Sequence, residues 1–333
     1  MGQSLQQGYH LFITNGDSAG ELLRKGFAST EVLPWRDVLH DGPVPMTETL
    51  EELSEVRADF LADRGWGDRD VLRENFLARD RGLSHHETFE SVTLWFEHDL
   101  YDQLQLIQIL SWFADNPRDG DALSLMQSDD FLGTQTPEKL TEMAGHARLV
   151  TEEQTQLAKQ AWEAFRQSEP NAWAYLLKQN TSALPYLEVS VKRMLQELPD
   201  VTSGLSRTQH QILVAINEGI ETPKRLFGAV EKLEESAFMG DWSFWTWLDD
   251  LATGENALVE PLNFRFSPKL SEDEFAAYTD SALKLTTAGL QVLAGNADYC
   301  AKASIDRWMG GTHITNDNLW RWDDKASEII APV

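Results

Sequence analysis

Cysteine is nearly missing: Cys300 is the only one in 333 residues. A single thiol excludes an intrachain disulfide and any zinc site built on paired cysteines. No apolar run approaches the length of about 18 residues that spans a bilayer. The opening stretch MGQSLQQGYHLFIT has neither a basic segment nor a long apolar one, so it does not read as a signal peptide. Positive charge is scarce as well. The chain carries 28 Lys and Arg against 54 Asp and Glu, a formal net charge of −26. That field repels phosphate backbones and anionic lipid, so nucleic acid and membranes are not expected partners. Internal repeats and low-complexity tracts are lacking too. Together these absences suggest a reduced, cytoplasmic location and a small-molecule ligand.

What is present is an ordinary globular composition, 42% hydrophobic and 25% charged, with length enough for two domains. The β-rich run Tyr9–Thr14 ends at the breaker pair Asn15-Gly16, and a helix follows towards Gly26. Glu31–Trp35 predicts a second strand, and the loop RDVLHDGPVP after it holds prolines that forbid regular structure. Charged helices are expected over 49–64 and 68–81. Ser91–Glu97 is nearly all apolar, as a strand covered on both faces should be. The next helix sets Leu100, Leu104, Ile107 and Leu110 on one buried face. Asp121–Gln127 predicts a fourth strand and Ala147–Val150 a fifth.

This order predicts an α/β fold with a Rossmann-like parallel sheet over 8–150. Residues 151–200 read as a helical connector, with PDVTSG (199–204) as a linker. Over 205–333 we expect a winged-helix-like domain with a Trp-rich tail. It comprises helices at 205–217, 223–233 and 238–251, and wing strands at 257–262 and 283–289. Residues 205–300 hold seven Lys or Arg and fifteen Asp or Glu, a balance of −8. The helix in the recognition position, FMGDWSFWTWLDDLA, has no basic residue, so a core or homodimer contact suits it better than a DNA groove.

Three strand–helix seams carry the polar residues, and in open α/β sheets ligands bind at such carboxyl ends. At the first, Asn15, Gly16, Asp17 and Ser18 combine a tight turn with a helix start able to hold an anion. Asp17 or Ser18 equally serves as a plain N-cap. At the second, Arg36 offers a planar fork to an oxyanion, and His40-Asp41 stands in the proline-stiffened loop. At the third, Asp99 caps the helix and Asp102 lies in its first turn, while Gln103 shares their face. Capping leaves His98, Gln103 and Glu97 without an assigned role. One crevice collecting these seams would make His98, Asp99, His40 and Asp41 candidate catalytic residues. Asn15, Gly16, Asp17, Ser18, Arg36, Asp102 and Gln103 would bind the ligand.

The segments NGDSAGELL, WRDVLHDGPVP and WFEHDLYDQLQLIQIL resemble, in order, the signature segments of the bacterial family called domain of unknown function 1835. They cover about the first 130 residues, and DRWMGGTHI with LWRWD resembles the ending of its longer members. The resemblance implies a shared site and names no reaction. Two functional classes stay open. One is a hydrolase or group transferase acting on an anionic or phosphorylated small molecule, with His98 or His40 as general base. A divalent metal held by Asp17, His40, Asp41, His98 and Asp99 is a variant of it. The other is a non-catalytic metabolite sensor or adaptor. In either, the tail WMGGTHITNDNLWRW packs through its tryptophans, or folds over the crevice as a lid that brings in His313.

Overall fold

The computed structural model describes residues 9–118 and 122–332. Residue 8, the MGQSLQQG stretch and Asp121, which opens the expected fourth strand, lie outside the described residues. The chain begins with β1 (His10–Thr14), α1 (Asp17–Gly26) and β2 (Thr30–Pro34). Helices α2 (Leu50–Asp63) and α3 (Arg69–Ser84) lead to β3 (Ser91–Glu97) and α4 (Leu100–Asp115). β4 (Leu123–Ser128), α5 (Pro137–Met143) and β5 (Arg148–Leu149) complete one sheet, ordered β2-β1-β3-β4-β5. The first four strands are parallel, with His10 opposite both Thr30 and Ser91 and Val92 opposite Leu123. The edge strand β5 runs antiparallel to β4. This is a mixed α/β structure around a mostly parallel sheet.

Alternation along the strands splits the core into two layers. Phe12, Val32, Trp95 and Met126 face α1 and α5 through Ala19, Leu23, Leu140 and Met143. Leu11, Ile13, Leu94 and Phe96 face α4 and join a far larger cluster that runs on to Trp322. The connector explains that size. Its helices α6 (Glu152–Phe165), α7 (Asn171–Tyr175) and α8 (Leu187–Leu195) pack α6 and α8 onto the back of α4. So α4 is covered almost all round, where periodicity predicted one buried face. Its glutamines are inside and bonded. Gln105 donates to the Asp37 carbonyl (2.8 Å), and Gln108 accepts from Trp35 Nε1 (2.7 Å).

The loop after β2 is held from inside by Arg57 of α2. Its guanidinium donates to Asp37 Oδ1 (3.0 Å) and to the carbonyls of Asp41, Pro43 and Val38. Gly42 has φ +77°, and a Cβ there would sit 2.4 Å from the Phe60 ring. Only glycine fits that turn.

Residues 199–204, expected as a linker, form a packed turn. The Asp200 carboxylate accepts from Thr202 N and Ser203 N, and Asp200 bridges to Trp322. Beyond it come α9 (Arg207–Asn217), α10 (Pro223–Glu231) and α11 (Asp241–Ala252). β6 (Val259–Glu260) pairs antiparallel with β7 (Lys284–Leu285), and α12 (Glu272–Thr279) fills the connection between them. Trp245 of α11 is buried, while Trp242 lies at the edge against Trp66. After α13 (Thr287–Leu293), the tail makes two hairpins, β8 (Asp306–Met309) with β9 (Thr312–Thr315) and β10 (Arg321–Asp323) with β11 (Glu328–Ile330). The first hairpin seals onto the end of α6: Gly311 N donates to Phe165 O, and Gly310 O accepts from Val44 N. Among the described residues no helix is long and apolar enough to cross a membrane.

Candidate functional site

β1 and β3 are neighbours, yet the chain leaves them for opposite faces of the sheet, α1 on one side and α4 on the other. Their carboxyl ends therefore flank a crevice, the position at which open α/β sheets bind ligands. Asn15 sits at the end of β1, its carbonyl accepting from Arg36 N (3.2 Å) and from Tyr101 Oη (3.3 Å). So held, its side chain reaches across to β3. Nδ2 donates to Glu97 Oε1 (3.1 Å) and Asp102 Oδ2 (2.8 Å).

The third seam closes on itself around that amide. Asp99 is the N-cap of α4, accepting from Asp102 N (3.2 Å), as expected of its type and position. Asp102 turns back to accept from Glu97 N (2.6 Å), and Leu132 N donates to Glu97 Oε1 (2.7 Å). Gln103 holds the Glu97 carbonyl (2.6 Å). The result is three buried carboxylates, Glu97, Asp99 and Asp102, each offering an oxygen within 4.8 Å of the others. Among the described residues no Lys, Arg or His is ion-paired to any of them. Burial raises Glu97 above the ordinary carboxyl range. It raises Asp99 to about 7, with the Glu97 charge adding. Asp102 is pushed up by burial and then by the charges of Asp99 and Glu97. Such a group keeps a proton near neutrality or takes a cation in its place. An all-oxygen set suits magnesium, manganese or calcium rather than the zinc or iron that mixed imidazole ligands would favour.

Asp99 and His98 open onto a cleft of about 1090 Å³, faced on the far side by Lys192, His210, Trp322 and Lys325. His98 is half-buried between Phe131 and Tyr186, and its Nδ1 is enclosed without a hydrogen-bond partner. The cleft thus lies between the sheet's carboxyl edge and the C-terminal half of the chain.

The other two seams behave differently. Arg36, expected to hold a ligand oxyanion, clasps Asp17 instead, with Nε to Oδ2 at 2.9 Å and Nη2 to Oδ1 at 2.6 Å. Both are exposed, as is Ser18, and Gly16 caps α1 without a side-chain bond. His40 and Asp41 do not join the carboxylates. Asp41 lies near Arg64 (3.9 Å), and His40 is only 8% exposed, behind Tyr101 and against Phe238. The cause is Arg57, which pulls the loop inward by its carbonyls. His313 is also absent from the cleft, stacked on Trp308 and bonded to Asp306 (2.7 Å). Only the second hairpin of the tail reaches the cleft, through Trp322–Lys325. Glu97 is the member that sequence reasoning left without a role. As the last residue of an apolar strand it carried a signal, since a carboxylate ending such a run needs partners.

His40 yields a pH prediction. Burial, with Arg57 and Arg193 adding, lowers it to about 4, and neither ring nitrogen has a partner. An unfolded histidine titrates near 6.5. Between those values the unfolded chain binds the extra proton, so stability falls as pH drops from about 6.5 through about 4. His40→Phe should therefore melt close to the parent at pH 7 and hold a higher Tm at pH 5. Melting curves showing equal acid losses in both proteins would contradict this.

No family model matches the chain, and none of the curated proteins is a significant match to it.

Proposed function

We propose that the protein is a metal-assisted hydrolase or group transferase acting on an anionic or phosphorylated small molecule in the cleft beside β3. The observation that carries this reading is the buried trio Glu97, Asp99 and Asp102, three carboxylates with no cationic partner among the described residues. Three carboxylates by themselves repel an anionic substrate. A divalent cation of the magnesium or manganese class would offset that repulsion and supply Lewis-acid chemistry at the cleft. Glu97, Asp99 and Asp102 would hold it, with Asn15 orienting two of them. His98 lines the cleft beside Asp99 and is the general base through its Nε2, the ring nitrogen that is not enclosed. His40, Asp41, Asp17 and Arg36 take no direct part. Of the three segments that resemble domain of unknown function 1835, the first supplies Asn15 to this site and the third supplies Glu97, His98, Asp99 and Asp102.

The test begins with calorimetric titration of chelator-treated protein with magnesium and then manganese. Binding should be saturable in the parent and lost in Glu97→Gln and Asp102→Asn. Phosphomonoesters and carboxylic esters are then screened with the bound metal, and His98→Ala should lower any turnover about 10²–10⁴-fold while melting within a few degrees of the parent. Absence of metal binding in the folded parent would sink the proposal.

A specific feature also supports a second reading, a metabolite sensor. The cleft's far wall belongs to α8, α9 and β10, so a ligand there would touch both halves of the chain. We read α9–α11 with β6 and β7 as a winged-helix-like module that meets protein rather than DNA, since α11 carries Asp241, Asp249 and Asp250 and no base. Ligand-dependent assembly without turnover would favour it.

A further inference from the structure

We infer that Arg307 and the cavity beside Trp247 form a second binding site, for a small molecule bearing a single planar carboxylate. The cavity, about 460 Å³, lies in the C-terminal half among Gln209 of α9, Trp247 and Asp250 of α11, Arg265, Lys302 and Arg307 of β8. It shares no lining residue with the cleft at β3.

Arginines that this chain buries wholly or in part are given acceptors elsewhere in the fold. Arg57 pairs with Asp37, Arg79 with Asp80, and Arg193 with both Glu197 and Glu234. Half-buried Arg118 and Arg166 give their protons to backbone carbonyls. Arg307 has neither kind of partner among the described residues, and its Nη2 is enclosed without an acceptor. Its guanidinium stands 4.9 Å from the centroid of the Trp247 ring. A cation–π contact covers one face of the guanidinium but supplies no acceptor for its in-plane N–H groups. Burial accordingly pulls the Arg307 pKa down. A missing anion resolves the deficit.

The surroundings narrow its chemistry. The nearby carboxylates are engaged elsewhere: Asp250 is held by Arg265 (3.2 Å), and Asp306 by His313. With Glu255 they balance Arg265, Lys302 and Arg307 around the cavity, so the lining has no surplus positive charge for a doubly charged phosphate and is matched to a singly charged anion. A guanidinium already covered on one face by an indole keeps its in-plane N–H groups free, and those fit the two oxygens of a carboxylate. The volume suits a small metabolite rather than a peptide or nucleotide chain.

The test uses the full chain and calorimetric titration with acetate, benzoate, lactate and inorganic phosphate at constant ionic strength. At least one carboxylate should bind saturably and raise the Tm, and phosphate should bind more weakly. Arg307→Lys, which keeps the charge and loses the fork, should weaken binding about tenfold or more. Arg307→Met should abolish it while leaving magnesium binding at Glu97, Asp99 and Asp102 as in the parent. Should Arg307→Met not fold, Arg307→Lys decides alone. Three outcomes would overturn the assignment: no saturable carboxylate binding, phosphate bound more tightly than every carboxylate, or affinity unchanged in Arg307→Lys.

Discussion

Arg57→Met should cost about 3–5 kcal/mol of folding stability, the largest loss expected from any single substitution described above. The side chain is wholly enclosed, and so is the Asp37 carboxylate it neutralises. Methionine keeps much of the volume but strands that carboxylate without its main cation, leaving Arg79 at 3.7 Å as the nearest. It also releases the carbonyls of Val38, Asp41 and Pro43, three acceptors along one loop. Lysine would restore the charge without the fork, so Arg57→Lys should recover only part of the loss. Because the same loop bonds to the tail through Val44 N and Gly310 O, hydrogen exchange should rise at both places in Arg57→Met. Urea unfolding gives the magnitude, and a loss below about 1 kcal/mol would show that the loop is held by packing alone.

The second large effect concerns Asp99 and runs in the opposite direction. An unfolded aspartate titrates near 4, whereas burial and the Glu97 charge raise Asp99 to about 7 in the folded chain. Between those values the folded state keeps a proton that the unfolded state has released. The stability due to that proton is complete below about pH 4 and is lost as pH rises through about 7. Glu97 and Asp102 move the same way. In chelator, the parent's Tm should therefore fall from about pH 6.5, above the range in which His40 acts, to pH 8.5. Asparagine caps a helix as well as aspartate does and carries no charge, so Asp99→Asn should be more stable than the parent at pH 8, by about 1–3 kcal/mol, with a flatter profile. Asp99→Ala loses the cap as well, about 0.5–2 kcal/mol, and should lie below Asp99→Asn at every pH. Magnesium should reverse the order at pH 8, raising the parent and leaving Asp99→Asn unmoved. If Asp99→Asn proves less stable than the parent at pH 8 without metal, the trio does not carry the electrostatic strain described here.

Local chemistry made much of this protein legible from its residues. The run Ser91–Glu97 predicted a covered parallel strand, because Leu94, Trp95 and Phe96 in succession place apolar side chains on both faces and leave no polar side to show. The Asn15-Gly16 break located the turn after β1, and Asp99 announced the cap of α4, since an extended residue with a short carboxylate satisfies the free N–H groups behind it. The order of strands and helices carried the α/β architecture. In each case the signal lies within a few residues, where backbone sterics and hydrogen bonding act without help from distant parts.

Only the tertiary structure decided which polar residues meet. Asn15 lies 82 residues from Glu97 and 87 from Asp102, and no pattern along the chain encodes that junction. His40 looked like a site residue because a polar loop after a strand usually faces the crevice, but Arg57, enclosed beneath it, turned the loop inward. Gln105 and Gln108 lie off the apolar face that periodicity predicts for α4, and only the packing of the loop after β2 gave them buried partners in Asp37 and Trp35. Arg307, unremarkable in the sequence, became informative only because the fold buries its Nη2 without an acceptor among the described residues. Burial is a property of what packs on a residue from elsewhere in the chain, and it decided which partners each of these groups could reach.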